Sequence, residues 1–258
     1  MIQPRVIPSL LISNGELIKT QQFSSPKYVG DPINAVKIFN EKEVDEILIS
    51  DISASVSKRG PDMSLIKKLA SECRMPMAYS GGITKPEMVE EIISLGVEKV
   101  GISSGIFKNQ DLIKKSVSIV GSQSVVAILD IKKSLFKGYQ VYCFNGKKLM
   151  SSSLSEVMNH IQTQGVGEII INDIDRDGMM RGYNHDLIEK VKDSCVVPLT
   201  ILGGAGTIDD LSLAIKKFGL IGCGAGSMFV FHGKYRAVLI SYINREEKIG
   251  LLSSFVQN

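Results

Sequence analysis

Five aspartates stand where short apolar, β-branched runs end: Asp51, Asp130, and the Asp173, Asp175 and Asp177 of DIDRDG. A carboxylate in such a place serves as general acid or base when its pKa lies near the working pH; the alternative is an aspartate that caps a helix or closes a turn. Glycine clusters follow other runs, Gly81-Gly82, Gly203-Gly204-Ala205-Gly206 and Gly224-Ala225-Gly226-Ser227, with Ser103-Ser104-Gly105 as a fourth. Without a Cβ the backbone N–H groups of such loops approach an anion closely. A pair of these sites would suit a substrate with two phosphates, whereas the plainer reading is tight turns. The packed acids of DIDRDG also suggest a calcium loop, but the glutamate that such a loop needs at its twelfth position is missing, so no metal is assigned. A third constellation, Arg5, Glu46, Lys99 and Glu168, places charges of alternating sign at the starts of strands. It reads either as a ring of ion pairs or as four solvated charges.

These groups are held by a chain that repeats itself at an offset of 122 residues, the distance from Asp51 to Asp173. VDEILISDISASVSKRG (Val44 to Gly60) aligns without a gap on VGEIIINDIDRDGMMRG (Val166 to Gly182), and the same offset pairs Pro76 with Pro198, Gly81-Gly82 with Gly203-Gly204, and Phe107 with Phe229. Two duplicated halves, about 1–122 and 123–258, then account for one domain. At 258 residues and 44% hydrophobic content the chain has the size of a single α/β (β/α)8 TIM barrel. Strands are predicted at Arg5 to Leu11, Ile47 to Asp51, Met77 to Ser80, Lys99 to Ser103, Val125 to Asp130, Glu168 to Asn172, Leu199 to Leu202 and Ile221 to Gly224. Helix starts are marked by Asp31-Pro32, by Pro61-Asp62 and by a capping box at Thr84 to Glu87 whose helix stops at Gly96. In the helix from Asp62 to Glu72, the residues Leu65, Ile66, Leu69 and Ala70 form an apolar stripe.

Two segments break the rhythm. Ile12 to Gly30 follows the first strand without a helical pattern and reads as a lid or binding loop. YQVYCFNGKKLM alternates around Asn145-Gly146 and predicts a β-hairpin after the fifth strand.

The net charge is +3, with Lys and Arg scattered rather than striped, so no nucleic-acid partner is expected. Four cysteines without CxxC spacing and three isolated histidines give no metal or disulfide framework. No leader and no apolar run of membrane-spanning length is seen, so a cytoplasmic protein without a membrane partner is expected.

Taken together, the motifs resemble the cyclase subunit of imidazole glycerol phosphate synthase, a barrel of histidine biosynthesis that receives ammonia from a glutaminase subunit. The likeness is carried end to end by RVIPSLL, GDP (Gly30 to Pro32), DISAS (Asp51 to Ser55), SGGI (Ser80 to Ile83), GSQSVV (Gly121 to Val126), DIDRDG followed by Gly182-Tyr183, and GGAG (Gly203 to Gly206). The resemblance implies a lyase-type barrel without cofactor that docks a glutaminase at its bottom face. Ammonia would enter through a gate matching Arg5, Glu46, Lys99 and Glu168 and meet a phosphorylated substrate at the top. It implies Asp130 as a catalytic group, a mobile first loop carrying Lys19, and substrate contacts from Asp51, Gly81, Gly82, Ser103, Ser104, Asn172, Asp177, Gly178, Gly203, Gly204, Gly226 and Ser227.

The departures lie at the chemistry. The family's first catalytic aspartate is Leu11 here, and its CLD segment reads Ser9-Leu10-Leu11; Leu202 replaces a serine and Ser103 an asparagine. A leucine transfers no proton. The departures point to a diverged paralogue that keeps ammonia delivery, and its resemblance to family paralogues that accompany sugar amidotransferases implies a role in sugar amidation or amidination in surface-polysaccharide synthesis, with a sugar amidotransferase as a third partner. An authentic cyclase that recruits Ser9 or Asp51, the related isomerase, and a non-catalytic activator of the glutaminase are the alternatives.

Overall fold

The computed structural model describes residues 3–151 and 153–256. Eight strands, β1 (Arg5–Ser13), β2 (Ile47–Asp51), β3 (Met77–Ser80), β4 (Lys99–Ile102), β5 (Val125–Ser134), β6 (Glu168–Asp173), β7 (Leu199–Leu202) and β8 (Gly222–Ala225), pair in parallel with their chain neighbours. The β8–β1 pairing, Arg5 against Gly222, closes the sheet into a barrel. Helices α1 (Pro32–Glu41), α2 (Met63–Glu72), α3 (Pro86–Ser94), α4 (Leu112–Val120), α5 (Leu154–Thr163), α6 (His185–Lys192), α7 (Ile208–Phe218) and α8 (Arg245–Val256) alternate with the strands. This is the (β/α)8 barrel that the alternating pattern predicts.

The caps explain why the helices start where they do. Asp31 accepts from the Asn34 N–H with Pro32 in the first helical position, and Asp62 accepts from Leu65. In α2, Ile66 and Leu69 are fully buried while Leu65 and Ala70 pack at the margin. The capping box expected at Thr84 to Glu87 is not formed. Pro86 takes the first helical position, which makes Lys85 the cap and leaves Thr84 one residue too early. A capping box does occur at α7, where Thr207 and Asp210 bond reciprocally.

Side chains alternate along a strand, so every second residue faces the barrel interior. On β1 the series is Arg5, Ile7, Ser9, Leu11; on β5, Val126, Ile128, Asp130; on β6, Glu168, Ile170, Asn172; on β7, Thr200, Leu202. Each column climbs from a polar or apolar base, through an apolar layer of Ile7, Leu48, Ala78, Val126, Ile128, Ile170 and Leu202, to a mostly polar mouth. A separate and larger core lies between strands and helices.

The segment from Ile12 to Gly30 is not an irregular loop. β1 runs on to Ser13 and turns into a hairpin with arms Glu16–Gln21 and Ser24–Gly30, the first arm paired with β1 through Leu11 and Ile18. Asn14 and Gly15 supply the left-handed turn (φ 51 and 83). β5 likewise continues past Asp130 to Ser134 and pairs with Gly138–Cys143, which pairs with Lys148–Ser151, the hairpin expected around Asn145-Gly146.

The glycine pairs make the same contacts twice. A Cβ on Gly81 would fall 2.4 Å from the Asp51 carbonyl oxygen, and one on Gly203 would fall 2.6 Å from that of Asp173. Gly82 abuts Gly60 as Gly204 abuts Gly182. Backbone crossing backbone at both places leaves no room for a side chain.

Candidate functional site

At the base of the barrel, Glu168 accepts from Arg5 (2.7 Å), Lys99 (2.9 Å) and Thr200 (2.6 Å). Glu46 accepts from Lys99 (2.8 and 2.9 Å) and from Arg5. The four charges form one closed, alternating ring, with both carboxylates nearly inaccessible (6% exposed) and the cations more open (28% for Arg5, 18% for Lys99). Burial alone would raise Glu168, but the Arg5 and Lys99 charges outweigh it and hold its carboxyl below the usual range. The guanidinium of Arg5 is lowered by burial and raised more by Glu168 and Glu46, for a net rise.

At the opposite end the loops enclose a cavity of about 920 Å³, its open mouth included. Leu48, Ile128 and Leu202 form its floor. Ser9, Ser50, Ser80, Ser103 and Asn172 rise above them, and Leu11, Phe23, Phe144 and Asn145 stand at the rim. Asp130 is only partly exposed, toward the cavity, and burial pushes its carboxyl up to about 7. The Asn172 amide, donating at 3.1 Å, opposes that rise, and the Asp177 charge adds to it. A carboxyl in that range is suited to proton transfer near neutral pH. Two polar atoms on the same surface, Ser9 Oγ and Asn172 Oδ1, are buried without a partner.

The other aspartates are engaged by the protein. Asp51 accepts from Ser53 N–H (3.0 Å), Ser53 Oγ (2.7 Å), Ala54 N–H (3.1 Å) and Arg59 (2.5 Å). Asp173 is raised, chiefly by burial, and accepts from Asp175 N–H and from Asn184. Asp175 accepts from Lys133 N–H, and Asp177 from Thr20 Oγ1 (3.0 Å) and Lys19 (3.4 Å). Their carboxylates are thus distributed among separate partners, and among the described residues no cluster of His, Cys, Asp or Glu is placed to hold a metal ion.

The structure brings Lys19, Asp51, Gly81, Gly82, Ser103, Ser104, Asp130, Asn172 and Asp177 to the cavity wall. Gly178, Gly203, Gly204, Gly226 and Ser227 are not among the residues that line it. Lys19 sits in the first arm of the hairpin, 4% exposed, with its ammonium end against Gly226. Two cations escaped the sequence reading. Arg59 binds Asp51, and its signal was available, because the alignment of the halves matches it to Arg181. Arg236 donates to the Gly178 carbonyl and to Ser227 Oγ, and nothing in its surroundings in the sequence marks it.

No helix among the described residues is long and apolar enough to cross a membrane. A family model described as "Histidine biosynthesis protein" matches residues 5–236. The chain is 50% identical over 250 residues to "Putative imidazole glycerol phosphate synthase subunit hisF3" of Vibrio vulnificus (strain YJ016), covering 96% of each. It is 47% identical over 252 residues to "Putative imidazole glycerol phosphate synthase subunit HisF" of Leptospira interrogans, covering 97% of this chain and 99% of that one. Against "Imidazole glycerol phosphate synthase subunit HisF" of Natranaerobius thermophilus the identity is 33% over 231 residues, covering 90% and 92%.

Proposed function

The chain belongs to the histidine biosynthesis protein family, and on that premise we propose that it is the synthase-side subunit of a glutamine amidotransferase. A glutaminase partner docks at the base of the barrel and hydrolyses glutamine to glutamate and ammonia. Ammonia enters at the ring of Arg5, Glu46, Lys99 and Glu168 and climbs the apolar interior to the cavity. The observation that carries this reading is the alignment of three layers on the same strands: a closed charge ring, an apolar column, and a polar cavity. A neutral ammonia molecule crosses apolar surface at little cost, whereas an ammonium ion does not.

We further read the chain as a diverged member rather than a housekeeping cyclase. Leu11 occupies the strand end where the first acid is expected, and Asp51 is held by four hydrogen bonds, which leaves it no role as a substitute. The higher identity to the Vibrio vulnificus and Leptospira interrogans relatives than to the Natranaerobius thermophilus subunit favours the same view. The acceptor we favour is an acetamido sugar amidinated by a third protein of surface-polysaccharide synthesis, in the cytoplasm. The partly exposed Asp130, with its carboxyl near 7, favours retained cyclase chemistry as a second reading.

Two assays separate these. Purified protein is given ammonium salt and the bisphosphate substrate of imidazole glycerol phosphate synthase; the paralogue reading expects turnover reduced by about 10²–10⁴, the typical value of one acid or base, and restored in part by Leu11→Asp. Turnover at a normal cyclase rate overturns it. For ammonia transit, the Lys99→Ala complex should lose glutamine-driven product while ammonium-driven product persists, and equal losses would remove the channel from the account.

A further inference from the structure

We propose that the cavity takes a ligand with a single phosphate, seated on the β3–β4 side, and that the opposite anion seat is filled by the protein's own Lys19, Asp177 and Arg236. This rests on the reading above that the cavity binds a phosphorylated substrate, and it narrows the class of that substrate.

The two sides of the mouth differ in how their polar groups are used. On the β3–β4 side, Gly81, Gly82, Ser103 and Ser104 all belong to the cavity wall, together with Ser55. The Gly82 N–H donates to Ser55 Oγ (3.1 Å), which lies 3.4 Å from Ser104 Oγ. The Ser55 and Ser104 hydroxyls are neutral and rotatable, and each can turn its O–H toward an incoming anion. The cations near them, Lys58, Arg59 and Lys108, flank an adjoining cleft against Gly82 and Thr84 and add a favourable field.

On the β7–β8 side the wall stops at Lys19, Asn172, Asp177 and Leu202. Behind it the space is taken. A Cβ on Gly226 would lie 2.5 Å from both Cε and Nζ of Lys19, so the lysine tip rests where the glycine would admit an anion. The Thr20 carbonyl oxygen occupies the corresponding place at Gly178, 2.2 Å from a Cβ there. Arg236 donates to the Gly178 carbonyl (3.0 Å) and to Ser227 Oγ (3.1 Å), fastening both to the segment after β8. The hairpin itself is fastened to the same loop by Gln22 N–H to Asp177 O (2.8 Å) and Thr20 Oγ1 to Asp177. A phosphate arriving here would have to break the Lys19–Asp177 pair and then face the Asp177 carboxylate. Both groups are about 95% buried, where an unpaired charge is costly.

Beside the paired Lys19 and Asp177, what remains for the far end of the ligand is Asp130 and neutral polar groups. Ser9 Oγ and Asn172 Oδ1 are each more than nine-tenths buried and unpartnered, and the Asn172 amide bonds Asp130. An acceptor such as Asn172 Oδ1 calls for a hydroxyl or amino donor, not a second anion. The class indicated is a sugar monophosphate or a comparable polyhydroxyl monophosphate.

The test uses the full chain with inorganic phosphate, ribulose 5-phosphate and ribulose 1,5-bisphosphate as probes, read by calorimetry and by phosphorus NMR. One phosphate per chain is expected, with the two sugar phosphates binding within about threefold of each other, because a second phosphate gains no charge-assisted bonds. Ser104→Ala should weaken phosphate about tenfold, the value of a hydrogen bond to a charged group, while Lys19→Met should change it less than about twofold. Two phosphates per chain, or a preference of about 100-fold for the bisphosphate, overturns the single-phosphate assignment and leaves ammonia delivery standing. Absence of any phosphate binding overturns the assignment together with the phosphate cavity on which it rests. The wild-type stoichiometry decides the matter even where the Lys19 variant folds poorly.

Discussion

Glu168, at the start of β6, accepts hydrogen bonds from Arg5, Lys99 and Thr200, while Asn172, four residues further along the same inward-facing column, leaves its Oδ1 without a partner. The base of the barrel is complete in itself: two cations and two carboxylates neutralise one another and need nothing from outside. The mouth is incomplete, with orphan oxygens on Ser9 and Asn172 and a carboxyl pushed up to about 7. One strand carries both conditions because its interior column is read in steps of two residues and each layer answers a different demand. The base withstands perturbation poorly, and the mouth has free energy to recover on binding a ligand.

The largest expected effect comes from breaking the ring. Glu168→Gln leaves Arg5 and Lys99 with one carboxylate between them, and removal of one member of a buried pair typically costs about 3–5 kcal/mol. The midpoint of urea unfolding at pH 7 measures it, and a loss below about 1 kcal/mol would mean the ring is solvated and unimportant to the fold. Because Glu168 is held below its ordinary 4.5 in the folded protein, its contribution is present above that pH and is lost as pH falls through the folded value. The gap between wild type and variant should therefore narrow in acid. A gap that is constant down to pH 3 contradicts the assignment of the lowered carboxyl.

Asp130 should behave in the opposite sense. Its folded pKa lies above the unfolded value of 3.8, so wild-type stability is fully present below pH 3.8 and declines as pH rises toward about 7. Asparagine does not titrate and keeps an acceptor for the Asn172 amide. Asp130→Asn should consequently stabilise the protein by an amount that grows between pH 4 and 7 and levels off above. The span corresponds to at most about 4 kcal/mol, and about 2 kcal/mol is expected because the carboxyl retains some contact with solvent. Equal stabilisation at pH 4.5 and pH 8 would show that the carboxyl is ordinary, and the contrast between base and mouth would then rest on the orphan oxygens alone.

How far this contrast was legible in the sequence depends on the range of the interaction. The eight strands could be read because buried parallel strands are near-continuous β-branched runs, and their ends fell within a few residues of those observed. The charge ring was legible as composition at strand starts, since barrel closure alone brings Arg5, Glu46, Lys99 and Glu168 together. The Ile12 to Gly30 hairpin was missed because its second arm, Ser24–Gly30, is exposed along most of its length and lacks the alternation that identifies a strand. The fastening of the loops after β6 and β8 was beyond reach for a different reason. It depends on Arg236, in the segment after β8, meeting Gly178 and Ser227, and no local pattern encodes that encounter.

The finest test compares two buried hydroxyls, one at each end. Thr200 Oγ1 donates to Glu168 at 2.6 Å, and Thr200→Val should cost about 1.5 kcal/mol, the low end for a hydrogen bond to a charged group, because Arg5 still serves the same oxygen. Ser9 Oγ, 1% exposed, has no partner, so Ser9→Ala removes a desolvated polar atom and loses no bond. Its effect on the ligand-free protein should fall within about 1 kcal/mol and favour the variant. Both substitutions conserve most of the side-chain volume, so packing differences stay small beside the polar term. If Ser9→Ala instead destabilises as much as Thr200→Val, the serine hydroxyl is satisfied in the free protein, and the mouth of the barrel is as self-contained as its base.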